Sequence, residues 1–224
     1  MQGIVTGASR GLGLALTRAL VDRGWRVVVD ARDADALSRA WPEAPSEVLV
    51  AGDVTDPDHR RRLIEAAGDS IDLLVNNASD LGPTPLPALA DYPLEALRRV
   101  YDVNVLAPLA LVQLALPHLS PGARVLNITS DAAVEPYETW GGYGSSKAAL
   151  AQLTAIFTAE NPQLRVYAVD PGDMRTQMQQ DAFPGEDISD RPPPEESVPG
   201  LLELIEGDLP SGSYRARELV SVET

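Results

Sequence analysis

Two rhythms of apolar residues alternate along the chain. Short aliphatic blocks at Ile4-Val5-Thr6, Arg26 to Asp30, Val48 to Ala51, Ile71 to Val75, Val125 to Thr129 and Arg165 to Val169 read as six buried strands. Between them the spacing lengthens, as in Gly11 to Asp22, where Leu12, Ala15, Leu16, Ala19 and Leu20 recur at helical intervals. A helix is expected from Pro57, capped by Thr55 or Asp56, because proline at the first helical position lacks only an N–H that would have no partner there. A Pro-rich loop, Gly82 to Pro93, leads into a long helix. Its most apolar window, Val103 to Leu119, reads as buried, since Asn104, Pro108, Gln113, Pro117 and His118 interrupt it too often for a bilayer span. Glu195 to Glu206 predicts a final helix and Ser213 to Val220 an edge strand. Strands and helices in alternation, joined by right-handed crossovers, predict one α/β domain over residues 1–224: a doubly wound parallel sheet of six to seven strands with helices on both faces.

Composition narrows the chemistry. The chain has 224 residues, with 18 Lys and Arg against 33 Asp and Glu, and a formal charge of −15 repels phosphate backbones and anionic lipid alike. Neither nucleic acid nor a membrane is an expected partner. There is no cysteine and there are two histidines, His59 and His118, so disulfides, thiolate nucleophiles, a zinc site and a histidine triad are not expected. Met1 leads straight into the first strand without a removable apolar leader, which predicts a cytoplasmic location. From 181 to 197 the composition changes: Pro184 and Pro192 to Pro194 stand among Asp181, Glu186, Asp187, Asp190, Glu195 and Glu196, with Arg191 as the one base. This stretch predicts an irregular loop, either a lid over a substrate or an idle one.

Candidate chemistry gathers in two places. Thr6-Gly7-Ala8-Ser9-Arg10-Gly11-Leu12-Gly13 is a glycine-rich turn between the first strand and the first helix, where a backbone can approach a pyrophosphate at a helix N-terminus. In Trp140 to Leu150, Tyr143 and Lys147 stand four apart and share one helical face. A cation close to a phenol stabilises the phenolate, which makes a proton-transfer pair, and Ser130, at the end of the fifth strand, can bring a hydroxyl to the same edge.

In this order, from about residue 3 to Thr176, these motifs resemble the short-chain dehydrogenase/reductase family in its shorter, single-domain branch. The resemblance implies a Rossmann-type fold and hydride transfer between a nicotinamide cofactor and a carbonyl compound. Tyr143 would then be the proton donor, Ser130 the group holding the substrate oxygen, and Lys147 the tuning cation that also bonds the nicotinamide ribose. Asn104 would hold a water on the proton path behind the lysine, or else be a buried amide bonding a helix carbonyl. Cofactor contacts carry over onto Gly7, Ser9, Arg10, Gly11, Leu12 and Gly13 of the turn, and onto Asp53 and Val54 for adenine. Asn77 and Ala78 follow, with Asn76 and Asn77 also bracing the sheet, then Tyr143, Lys147, and Pro171, Gly172 and Thr176 under the nicotinamide.

Aligned on Gly24, relatives that prefer NAD carry their acid at the position of Ala31. Asp30 comes one residue early, which turns it to the other face, while Arg32 and Arg10 match the basic positions of phosphate-binding members, so NADP(H) is the expected cofactor. Ser79 replaces the family's usual glycine and is expected to shift the loop beside the cofactor slightly; Asp173 and Arg175 are unusual and without an assigned role. Tyr137 and Trp140 are expected to form an apolar wall. Acidic loops near the active-site mouth favour a small neutral or apolar carbonyl substrate over one tethered to acidic acyl carrier protein. A homodimer through the long helices on either side of Ser130, or a monomer, is the expected assembly. The alternatives are a non-catalytic dinucleotide-binding redox sensor or scaffold, which would need no Ser, Tyr and Lys together, and an α/β hydrolase, for which no Gly-x-Ser-x-Gly is present.

Overall fold

Seven parallel strands form one sheet, numbered in chain order β1 (Gln2–Val5), β2 (Arg26–Ala31), β3 (Leu49–Ala51), β4 (Ile71–Asn76), β5 (Leu119–Ile128), β6 (Arg165–Asp170) and β7 (Gly212–Arg215). The structure is a computed structural model that describes residues 1–219. The strand order is β3-β2-β1-β4-β5-β6-β7, so the direction of winding reverses between β1 and β4. Such a reversal opens a crevice at the carboxyl ends of the strands.

Successive strand residues point to opposite faces, and both faces are covered. Val5, Val27, Val29, Leu73, Leu126 and Val169 pack on one side with Leu12, Leu16 and Leu20 of α1 (Gly11–Asp22) and Leu201, Leu204 and Ile205 of α8 (Val198–Glu206). Their neighbours Ile4, Val28, Leu74, Val125 and Val166 pack on the other with Leu63 and Ile64 of α3 (Pro57–Ala67) and Leu111, Val112 and Ala115 of α5 (Ala107–Ala115). Asp56 caps α3, accepting from Asp58 N at 2.9 Å. Three further helices complete the layers around the site: α2 (Ala34–Ala40), α4 (Leu94–Tyr101) and α6 (Gly141–Glu160). A short α7 (Gln177–Ala182) follows β6.

α4 runs through a π-turn, Asp102–Leu106, into α5, and Pro108 falls in the first turn after it, where helical hydrogen bonding is already reset. Three expectations need correction. Leu94–His118 is long and apolar enough to cross a bilayer, with a mean hydropathy of 1.5, but half of it is buried inside the fold. The last strand is shorter than Ser213 to Val220. It ends at Arg215, because Ala216–Glu218 turns and buries Ala216 against Gly200 of α8; Val220 lies outside the described residues. Finally, 181–197 is not wholly irregular, since α7 reaches Ala182 and a turn of 3₁₀ helix spans Pro194–Ser197 ahead of α8.

Candidate active site

The crevice holds two adjoining cavities. The first, of about 220 Å³, runs from the glycine turn past the ends of β2 and β4 to Tyr143 and Lys147. At its head, α1 starts without a side-chain cap on Arg10 and without an acid in its first turn, so the leading backbone N–H groups have no side-chain acceptor. A missing cap costs about 1 kcal/mol, whereas each buried leucine of α1 contributes about 2 kcal/mol, so packing holds the bare end in place. This end is suited to a phosphate. Gly13 is required here, because a Cβ would come 2.5 Å from both Gly7 O and Asn77 Nδ2. Asn77 Nδ2 in turn donates to Thr6 O at 2.8 Å and Gly7 O at 3.2 Å, tying β4 to the turn. Asn76 Nδ2 donates to Asn127 Oδ1 at 2.7 Å and Asn127 Nδ2 to Thr154 Oγ1 at 2.8 Å, so both asparagines at the end of β4 brace the fold.

Gly7, Ser9, Arg10, Gly11, Leu12, Arg32, Asp53, Val54, Asn77, Ala78, Tyr143, Lys147, Pro171 and Thr176 all line this cavity. Gly13 lies behind it and Gly172 lines the second one. Asp30 is 1% exposed; Oδ1 accepts from Gly7 N at 2.6 Å and Oδ2 meets His59 Nε2 at 2.9 Å. Its carboxylate therefore clamps the turn. Arg10 and Arg32 are exposed and form no ion pair among the described residues. Asp53 Oδ1 accepts from Thr55 N at 2.9 Å and Oγ1 at 2.8 Å, and Oδ2 from Arg99 Nη2 at 2.6 Å. Burial opposes its ionisation, but the Thr55 N–H and the Arg99 guanidinium outweigh it and hold the carboxyl at about 2. Three donors thus already occupy the carboxylate expected to meet adenine. Arg99 was not singled out in the sequence, yet it lines the cavity and bridges Asp53 to Asp80, 3.7 Å away.

The second cavity, of about 450 Å³, shares Thr129, Tyr143, Pro171, Met174, Thr176 and Met178 with the first. Tyr143 therefore stands at the junction. Trp140 packs its ring against Tyr137 at 6.4 Å, Tyr143 at 5.8 Å and Phe183 at 5.9 Å, making the expected apolar wall. Tyr137 is less apolar than expected, since its hydroxyl donates to Asp131 Oδ2 at 2.8 Å. Four carboxylates, on Asp131, Glu138, Asp170 and Asp173, line this cavity and no base does.

Ser130, Tyr143 and Lys147 come together, with electrostatics that differ from expectation. Lys147 is 2% exposed; Nζ donates to Ile128 O at 2.8 Å and lies 5.4 Å from the Tyr143 ring centroid. Burial without a carboxylate partner lowers its pKa from 10.5 to about 7. Burial also pushes the Tyr143 phenol well above its ordinary value, Asp170 pushes the same way, and the hydroxyls of Ser130 and Ser79 offset this only in part. The phenol is thus held in its acid form. Ser130 Oγ donates to Asp131 Oδ1 at 2.9 Å, a partner that the sequence did not suggest.

Asn104 lies within the π-turn, fully buried, and the carbonyl it bonds is that of Asp80 in the loop after β4 and not a helix carbonyl. Nδ2 donates to Asp80 O at 2.8 Å and Ser146 Oγ at 2.9 Å, while Oδ1 accepts from Asp80 N at 2.7 Å and Ser79 Oγ at 3.1 Å. Asp173 and Arg175 also acquire roles. Arg175 N donates to Pro192 O at 2.8 Å and Nη1 to Ser189 O at 3.3 Å, and Asp173 pairs with Arg191 at 3.7 Å. Together they fasten 189–192 beside the second cavity, to which Phe183 supplies the 181–197 segment's lining.

Residues 3–187 match the short chain dehydrogenase family. An uncharacterised oxidoreductase of Saccharomyces cerevisiae is 33% identical over 183 residues, 79% of this chain and 71% of its own. A benzil reductase of the same yeast, forming (S)-benzoin, is 32% identical over 192 residues, covering 80% and 73%. A crystal structure of a short chain dehydrogenase from Escherichia coli complexed with NADPH superposes with a TM-score of 0.87 at 25% identity over 96% of each chain. Identity at this level over more than two thirds of each relative, together with the match across 3–187, means that this chain belongs to the short-chain dehydrogenase family of oxidoreductases.

Proposed function

We propose that the protein binds NADP(H) and interconverts a small neutral or apolar carbonyl compound and its alcohol. The observation that carries this reading is the position of Tyr143, a buried phenol at the meeting point of a cavity suited to a dinucleotide and one walled by Trp140 and Phe183. The bare start of α1, the close approach allowed at Gly13, and the unpaired Arg10 and Arg32 fit a nucleotide that carries an extra phosphate. When bound, the nicotinamide supplies or takes the hydride.

The chain's own residues manage the proton. In reduction, Tyr143 passes its phenolic proton to the substrate oxygen, which the Ser130 hydroxyl also holds, and Lys147 sits beside the phenolate that remains. With a pKa of about 7, Lys147 can both give and take a proton near neutral pH. The four carboxylates of the second cavity disfavour anionic substrates, and the aromatic wall favours apolar ones. The yeast relative that reduces benzil acts on a neutral aromatic dicarbonyl compound, in keeping with this choice.

NADPH oxidation in the presence of neutral aryl and alkyl ketones, aldehydes and benzil tests the assignment. Turnover with at least one, lost in Tyr143→Phe by more than about a hundredfold with NADPH affinity nearly unchanged, is expected; a variant keeping more than about a tenth of the rate would exclude Tyr143 as the essential acid. NADPH should exceed NADH in catalytic efficiency by at least about tenfold, and Arg32→Asp should erase that ratio. Equal efficiency in the wild type would remove the case for NADP(H). A neutral ketone should outperform its carboxylate-bearing analogue most clearly at low salt, where charges are least screened, and the reverse order would exclude the charge argument.

Lys147 gives a prediction on stability. Its folded pKa of about 7 lies below the unfolded 10.5, so a proton leaves on folding and stability gained from that release rises with pH across this window, leaving the burial cost complete below about 7. Lys147→Met should therefore raise the melting temperature of the cofactor-free protein, and by more at about pH 6 than at about pH 9. Equal gains at both, measured by calorimetry, would mean that the ammonium is not the source of the cost.

A further inference from the structure

His59 has no task in the steps above and lines neither cavity, yet its ring, fully buried on α3, backs onto two residues that line the first one. Nε2 lies 2.9 Å from Asp30 Oδ2. A Cβ on Gly52, just after β3, would collide with Nδ1, so the ring fills the space directly behind that glycine. Arg62, three residues further along α3, brings Nη2 to 3.5 Å from Nδ1. A guanidinium only donates, so Nδ1 accepts and the ring hydrogen sits on Nε2, facing the carboxylate.

The other side of that carboxylate belongs to the glycine turn. Asp30 Oδ1 accepts from Gly7 N at 2.6 Å, and the Asp30 carbonyl accepts from Ala8 N at 2.9 Å. One residue of β2 thus holds two successive N–H groups of the turn, one of them through its side chain. Gly7 has a φ of +69°, a conformation that its bond to Asp30 helps to keep. The backbone from Ser9 to Leu12 is left to face the cavity. With Oδ2 bonded to His59, the plane of the carboxylate is fixed and Oδ1 stays aimed at Gly7. Without the ring, a buried carboxylate would keep one side-chain partner fewer and would be free to turn. Burial already pushes the Asp30 carboxyl up from its ordinary value, and the bonds from His59 and Gly7 work against that push.

We propose that His59 is a positioning residue for the nicotinamide nucleotide: it holds Asp30 in line with Gly7 N, and so keeps the glycine turn and the bare start of α1 in the shape that receives a pyrophosphate. This rests on the first cavity holding that nucleotide. His59 acts through Asp30 at one end of the cavity and touches neither Tyr143 nor the second cavity, so its loss should weaken cofactor binding without slowing the chemistry of the bound complex. A histidine that only filled the core would lower stability and leave cofactor affinity where it was.

The test is a calorimetric titration of the full chain and its His59→Leu, His59→Asn and His59→Gln variants with whichever of NADPH and NADH the wild type binds more tightly. The amide nitrogen of Gln can take the place of Nε2, whereas that of Asn falls one methylene short. Leu and Asn should raise Kd, and KM for the cofactor, by about tenfold or more, the scale of one hydrogen bond to a charged group. Gln should stay within about threefold of the wild type. With the fastest ketone of the carbonyl panel, kcat at saturating cofactor and KM for the ketone should stay within about twofold in all three. A wild-type Kd in Leu and Asn, a kcat that falls as far as the affinity, or a Gln variant as weak as Leu overturns the role of His59 and leaves the function standing. Kd and its rescue by Gln need no turnover, so failure of the whole carbonyl panel would count against the proposed reaction and not against His59. A wild type that binds neither nucleotide overturns both.

Discussion

A sheet buried on both faces can present polar chemistry only where its strands end, and this constraint governs the rest of the structure. Ile4, Val28, Leu74 and Val125 face one helical layer while Val5, Val29, Leu73 and Leu126 face the other, so no functional side chain can leave mid-strand. The hydrogen-bonding groups gather instead at the carboxyl edge. Gly7 follows β1, Asp30 stands near the end of β2, Asn76 and Asn77 close β4, and the carbonyl of Ile128, the last residue of β5, receives Lys147. The crossover helices then decide which groups meet there, with α6 bringing Tyr143 and Lys147 across β5.

Charge divides that edge. The first cavity has all the bases, Arg10, Arg32, Arg99 and Lys147, beside the bonded carboxyls of Asp30 and Asp53, whereas the second has Asp131, Glu138, Asp170 and Asp173 and no base. An overall charge of −15 says nothing of such a boundary, at which Arg10 and Arg32 follow β1 and β2, Arg99 comes from α4 and Lys147 from α6, while Asp131 and Asp173 follow β5 and β6. Placing a buried phenol at this boundary keeps it protonated: the low-dielectric surroundings and the nearby Asp170 outweigh the two hydroxyls beside it.

The strands were legible because burial on both sides leaves uninterrupted aliphatic runs, and the glycine turn because its geometry tolerates few other residues. The edge strand β7 was harder to read: its residues alternate between half-buried and exposed, and its end is set by Ala216 fitting against Gly200, a contact made across the fold. The identities of Ser130, Tyr143 and Lys147 were likewise plain, but their electrostatics were not. How far Lys147 titrates from its ordinary value depends on the depth of its burial and on the want of a carboxylate partner, which no local spacing encodes. Asn104 makes the same point, since its four hydrogen bonds go to Ser79, Asp80 and Ser146, residues at least 24 positions away. Arg99, beside Arg98 in an amphipathic helix, carries no local signal of its task, since its partner Asp53 lies 46 positions away.

Met174, Thr176 and Met178 line both cavities, so the two are not independent compartments. Thr176 also caps α7, accepting from Gln179 N at 3.3 Å, and its methyl lies against the start of α1 near Gly11. A molecule in either cavity therefore touches the same short stretch of backbone. Whatever free energy the ordering of that stretch lends to the second arrival must, by thermodynamic reciprocity, be returned to the first, so any such ordering links the affinities of the two occupants.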